Sequence, residues 1–176
     1  MIPEISDAYV LMLATRAHLG QVDKSGKPYI NHPVAVSEIV TRVPSYAELT
    51  EAERVVARWS GMLHDVLEDC PDFTEEGLLA LGVPEAVTHV VKLLSRNIST
   101  ESYYENIAKD RVARVVKLAD AFHNSDPDRM VLLDAKTVAR LRSKYIKGAK
   151  LLTTQHPGDL TWFVLGTAPA ESGWNG

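Results

Sequence analysis

An all-α, single-domain fold is predicted by three properties of the sequence. Apolar residues recur at helical spacing in one segment after another. No stretch shows the strict alternation of a half-buried strand. Ser, Thr, Asp, Pro and Gly stand where helices would begin and end. A chain of 176 residues fits one domain with a substantial core, and 45% apolar with 24% charged residues is an ordinary globular balance.

Taken in order, residues 5–19 carry Ile5, Ala8, Leu11 and Met12 at helical spacing. Gly20, Gly26 and Pro28 interrupt that pattern, so residues 20–31 read as a loop. Pro33 is suited to open a helix that stops before Pro44. Thr50 with Glu53 forms a capping box for a long helix reaching residue 68. Thr74 caps a short helix closed by Gly82, and Pro84 opens another to residue 94. Residues 101–122 read as one helix with an apolar stripe that includes Ile107, Val112 and Val116. Asp126 before Pro127 signals a further helix to residue 152, and the apolar run LTWFVLG a last one. Residues 1–166 are thus expected to form the domain, and residues 167–176 a frayed tail.

Composition excludes several classes of function. A net charge of −4 argues against a general nucleic-acid binder, which needs a basic surface. The basic stretch LRSKYIKGAK reads as a solvated helix face. Nothing approaches the ~18 apolar residues of a membrane span, and the first residues lack the pattern of a signal peptide. Cys70 is the only cysteine and reads as a packed thiol, so the expected setting is reducing and cytoplasmic.

The chemistry is concentrated in His32, the pair His64-Asp65, and Asp120, each in a segment otherwise apolar. Buried polar groups need partners, and one shared metal ion would satisfy all four. Two imidazoles and two carboxylates suit Mn²⁺, Fe²⁺ or Zn²⁺ better than Mg²⁺. On a continuous helix, His64, Asp65, Glu68 and Asp69 would lie at roughly 0°, 100°, 40° and 140°, sharing one face. Asp120 and Asn124 are likewise i and i+4 on one face, whereas His123 lies about 60° from Asp120. That offset suggests a supporting histidine rather than a ligand. Asp120 has a second reading, as a buried ion-pair partner of Lys117 or Arg114. Tyr29 is expected to pack beneath the His32 loop, and Lys24, Lys27 and Arg96 are the cations best placed to hold phosphate.

The stretches AHLGQVDKSGKPYINHP, GMLHDVLED, VVKLLSRN and VARVVKLADAFHN together resemble the HD superfamily of metal-dependent phosphohydrolases, signature H…HD…D. They are most similar to the hydrolase domain of RelA/SpoT-type enzymes and the small alarmone hydrolases. The resemblance implies an all-α HD-domain fold, bound Mn²⁺, and removal of the 3′-pyrophosphate from guanosine tetra- or pentaphosphate, (p)ppGpp. It implies metal ligands His32, His64, Asp65 and Asp120, catalytic carboxylates Glu68 and Asp69, and substrate contacts Lys24, Ser25, Ser95, Arg96 and Asn124. The chain length suits the stand-alone form. Two departures bear on specificity: Asp23-Lys24 stands where the family usually has Arg-Lys, and Ser125-Asp126 follows Asn124. The alternatives left open are an HD hydrolase for another phosphorylated nucleotide or dinucleotide cofactor, and a metal-binding module without turnover.

Overall fold

The computed structural model describes residues 5–96 and 100–166. The expectation of a frayed tail at 167–176 lies outside the described residues. Among those described there is no β-strand; a single antiparallel bridge, Val22 with Pro28, pinches the loop between the first two helices. The helices run α1 Asp7–Ala17, α2 Asn31–Ile39, α3 Glu51–Leu63, α4 Val66–Asp69, α5 Glu75–Ala80, α6 Glu85–Leu94, α7 Thr100–Lys109, α8 Arg111–Asn124, α9 Pro127–Met130, α10 Ala135–Leu152 and α11 Pro157–Leu165. Short 3₁₀ turns at Val40–Arg42 and Pro44–Glu48 link α2 to α3.

Two caps act where the sequence puts them, whereas α2 begins at Asn31, two residues before the Pro33 expected to open it, and gives way to the Val40–Arg42 turn. Thr50 and Glu53 close a reciprocal capping box on α3, and Thr74 caps α5 by accepting from Gly77 N. Three expected helices are each divided. The run expected from Thr50 to residue 68 breaks after Leu63, because the Gly61 carbonyl accepts from the His64 imidazole Nδ1 at 2.9 Å. The run 101–122 breaks at Asp110, whose carboxylate takes the Val112 and Ala113 N–H groups at 2.9 and 2.8 Å and starts α8. The run after Pro127 breaks at Asp134, which caps α10 through Thr137 N at 3.0 Å. In each case a side chain satisfies backbone groups that a continuous helix would have paired internally.

Helices α2, α3 and α8 pack on one another at the centre, with α1 and α6 against α3, and α7 and α10 against α8. One apolar cluster joins Val36, Val40, Ile107, Val115, Leu118 and Trp162; a second joins Val10, Leu13, Leu63, Leu78, Val87 and Val91. The two meet along α3, and the polar site lies where α2, the end of α3 and α8 converge.

Gly61 sets how closely α2 and α3 approach. A Cβ there would sit 3.0 Å from Ser37 Cα and 3.1 Å from Ser37 N, both backbone atoms. Alanine would gain about 1 kcal/mol of helix propensity, against about 1–3 kcal/mol for overpacking two helix backbones. Gly61→Ala is expected to destabilise the fold by about 1 kcal/mol net, read as a lower denaturant midpoint with unchanged slope.

Candidate metal centre

Three ligand atoms, from His32, His64 and Asp120, lie within 4.8 Å of one another, and all three residues are buried. His32 Nε2 is 3.3 Å from Asp120 Oδ1, and His64 Nε2 is 3.7 Å from the same oxygen. Asp65 joins from the turn between α3 and α4, its Oδ2 lying 2.8 Å from His64 Nε2 and 3.7 Å from His32 Nε2. The break after Leu63 is what lets two consecutive residues address one point. On an unbroken helix their side chains would diverge by about 100°.

Each group is held from behind. The Gly61 carbonyl takes the His64 Nδ1 hydrogen, which leaves the Nε2 lone pair for the site in the neutral imidazole. His32 and His123 stack with ring centroids 5.0 Å apart and share a hydrogen between their Nδ1 atoms at 2.7 Å. Burial and neighbouring His32 push His123 down to about 4, and burial with neighbouring His64 lowers His32, so both rings are neutral near pH 7. With the His32 Nδ1 hydrogen donated to His123, the His32 Nε2 lone pair also points inward. Tyr29 donates its hydroxyl to Asp65 Oδ2 at 2.6 Å, and burial beside that carboxylate keeps the phenol protonated. Lys117 Nζ binds Asp120 Oδ2 at 2.8 Å, and Asn124 Nδ2 donates to Oδ1 at 2.5 Å.

The donor set fits a divalent cation. His64 Nε2 is fully buried and, although close to two carboxylates, makes no aligned hydrogen bond. Burial disfavours charge on this imidazole, yet Asp65 and Asp120 outweigh burial and push it up to about 10. The carboxylates stay ionised: burial opposes this, but His64 holds Asp65 below its ordinary range, and Lys117 holds Asp120 well below. Two carboxylates therefore demand positive charge at the Nε2 position, which a proton supplies in the metal-free protein and a metal ion can replace.

The other residues expected at the site are distributed around it. Glu68 accepts from the Arg96 backbone N–H at 3.2 Å, with the Arg96 guanidinium at 3.9 Å, so the two are tied together. Asp69 follows on α4 and is exposed; burial of its carboxyl, then Asp65 and Glu68, raise its pKa. Ser95 is buried and donates its hydroxyl to Val91 O at 3.1 Å. Ser25 donates both N–H and hydroxyl to Asp23 Oδ1, at 2.8 and 2.7 Å. Lys24 and Asn124 line an adjacent cavity of about 330 Å³ with Tyr29, Arg129 and Tyr145. Asp23 also binds Lys27 N at 3.0 Å and lies 3.7 Å from the Arg129 guanidinium, while Asp126 caps α9 through Asp128 N at 2.8 Å. Arg129 on this wall and the bond from the Tyr29 hydroxyl to Asp65 carry no signal in the sequence, whereas His123 stands in the supporting place expected of it, bonded to His32. The alternative expected for Asp120, an ion pair with Lys117, forms through Oδ2 and leaves Oδ1 facing the imidazoles.

The HD domain family matches residues 29–125, a span holding all four candidate ligands. A guanosine-3′,5′-bis(diphosphate) 3′-pyrophosphohydrolase of Haemophilus influenzae is 42% identical over 125 residues, covering 64% of this chain and 17% of that protein. The bifunctional (p)ppGpp synthase/hydrolase SpoT of Escherichia coli K12 is 37% identical over 135 residues, covering 70% and 18%. The chain thus spans less than a fifth of the length of these curated relatives. A solved structure described as a metazoan ortholog of SpoT that hydrolyzes ppGpp superposes with a TM-score of 0.62 at 26% identity, covering 89% of this chain and 87% of that one. The family match takes in more than half of the sequence and the whole buried His/Asp cluster, and the chain belongs to the HD domain family.

Proposed function

We propose that this chain is a metal-dependent phosphohydrolase that removes the 3′-pyrophosphate of (p)ppGpp, with Mn²⁺ held by His32, His64, Asp65 and Asp120. The observation that carries the reading is the buried convergence of two imidazole Nε2 atoms on ionised carboxylates, with His64 Nε2 lacking an aligned partner. The 3′-pyrophosphohydrolase relative and the ppGpp-hydrolysing structural neighbour support the substrate.

The ion, when bound, supplies a Lewis acid that lowers the pKa of water and takes up charge on the scissile phosphate. Glu68, steadied by Arg96, accepts the proton of the attacking water. Asp69, whose pKa is raised, returns a proton to the leaving 3′-oxygen. Lys24 and Arg96 hold phosphate charge, and Asn124 keeps Asp120 Oδ1 oriented. Asp23 and Asp126 are occupied as caps of their own turns, and Arg129 offsets Asp23, which leaves the 330 Å³ cavity open to an anionic nucleotide.

Incubation of the Mn²⁺-loaded protein with ppGpp is expected to release GDP and pyrophosphate, and Asp65→Ala to abolish this. Intact ppGpp beside cleavage of another nucleotide in a substrate panel would keep the hydrolase class and overturn the substrate. Glu68→Gln is expected to retain metal while losing at least about 10²-fold in turnover; full turnover would remove Glu68 from the chemistry.

Metal loading must also displace the His64 proton. With that group at about 10, loading at pH 7 is expected to release about one proton per ion. Affinity then rises with pH and levels off as pH approaches 10. Calorimetry in buffers of different ionisation enthalpy reads the proton directly, and a release of zero at pH 7 would contradict this arrangement.

A further inference from the structure

We propose that Arg129, steadied by Asp23, selects a guanine base in the cavity beside the metal centre by donating to its O6 and N7 atoms; this rests on the nucleotide-hydrolase reading above. One side of that cavity is tied to the metal centre, because Tyr29 and Asn124 line it while bonding the candidate ligands Asp65 and Asp120. The rest of the lining includes Val22, Met130, Leu133 and Leu141, apolar side chains suited to the faces of a heterocycle. Its volume of about 330 Å³ falls at the lower end of small-molecule sites, which run from about 300 to 1,000 Å³.

Arg129 reaches this wall through both departures noted in the sequence. Asp126 caps α9 by accepting from Asp128 N at 2.8 Å, and Pro127 takes the first helical position, so a short, well-defined turn follows Ser125. Arg129 is the third residue of that turn, and its backbone N–H donates to Asp126 O at 3.1 Å. Its guanidinium then lies 3.7 Å from Asp23 Oδ2. The other Asp23 oxygen is taken by its own loop, accepting from Ser25 N, the Ser25 hydroxyl and Lys27 N. Burial opposes charge on Asp23, but these bonds and Arg129 lower its pKa, so the carboxylate stays ionised. The aspartate on the loop and the arginine on α9 are complementary.

The pair is held without being saturated. At 3.7 Å the contact is an ion pair rather than an aligned hydrogen bond, and the Arg129 guanidinium makes no hydrogen bond among the described residues. Its side chain is 20% exposed, so N–H donors remain for a ligand in the cavity it lines. Asp23 offsets its charge, which makes it a poor phosphate clamp and suits it to neutral acceptors. A planar fork of parallel N–H groups matches the adjacent O6 and N7 of guanine. Adenine carries an amino group in place of O6 and would set donor against donor.

Two competing explanations are that the pair only ties the loop to α9, and that Asp23 reads the 2-amino group of the base. Measuring kcat/KM of the Mn²⁺-loaded full chain for ppGpp, its adenine counterpart and its inosine counterpart separates them, since inosine keeps O6 and N7 but lacks the 2-amino group. The guanine and inosine forms are expected to agree within about threefold and to exceed the adenine form roughly 10–100-fold. Arg129→Gln, whose amide matches adenine instead, is expected to remove that preference through a higher KM for ppGpp. The analogues are compared on the unaltered chain, so they decide the matter if the variant does not fold. Equal kcat/KM for the guanine and adenine forms, an inosine form as poor as the adenine form, or a preference undiminished in Arg129→Gln overturns the proposal and leaves the hydrolase reading standing. Release of pyrophosphate from none of the three overturns the substrate reading and this proposal with it.

Discussion

Asp120 has two carboxylate oxygens, and the centre of the molecule is organised by their division. Oδ2 takes Lys117 at 2.8 Å; Oδ1 faces His32, His64 and Asn124. A lone carboxylate at this depth would be expelled or protonated, and a lone lysine likewise. Joined, they are tolerated in the core of α8, and the lysine consumes one oxygen while leaving the other for the imidazoles. Asp65 completes the cluster, its Oδ2 lying 2.8 Å from His64 Nε2.

Around it the hydrogen bonds run outward to neutral acceptors and donors. The Gly61 carbonyl fixes His64, His123 fixes His32, and the Tyr29 hydroxyl fixes Asp65. Charge is concentrated inside the ring and hydrogen-bond direction is set outside it. Apart from Lys117, which holds Asp120 Oδ2, these supporting groups are uncharged, so they orient the inner residues without adding charge to the cluster.

Much of this could be read from the chain because it is local. The α3 capping box, the Thr74 cap and the helical periodicity depend on residues within one turn of each other. The candidate ligands stood out because polar residues interrupted apolar runs. The breaks at His64, Asp110 and Asp134 were harder: the apolar period continues across them, and only the side-chain bonds reveal which backbone groups they capture. The division of Asp120, the pairing of His32 with His123 and the engagement of Asp23 by its own loop and Arg129 join residues distant in sequence or compete for one atom. Spacing along one chain carries no record of such competition.

The close approach at Gly61 gives the cluster an uncommon kind of ruler. Helices α2 and α3 meet there through main-chain atoms of Ser37, one turn beyond His32 on α2 and one turn before His64 at the end of α3. Main chain has no rotamers and does not vary in volume from one residue to the next. Side chains elsewhere in the core can be exchanged, and the packing around them can breathe, while the span between the two imidazoles, 5.0 Å from ring to ring, stays referenced to a contact that substitution of the surrounding side chains does not alter.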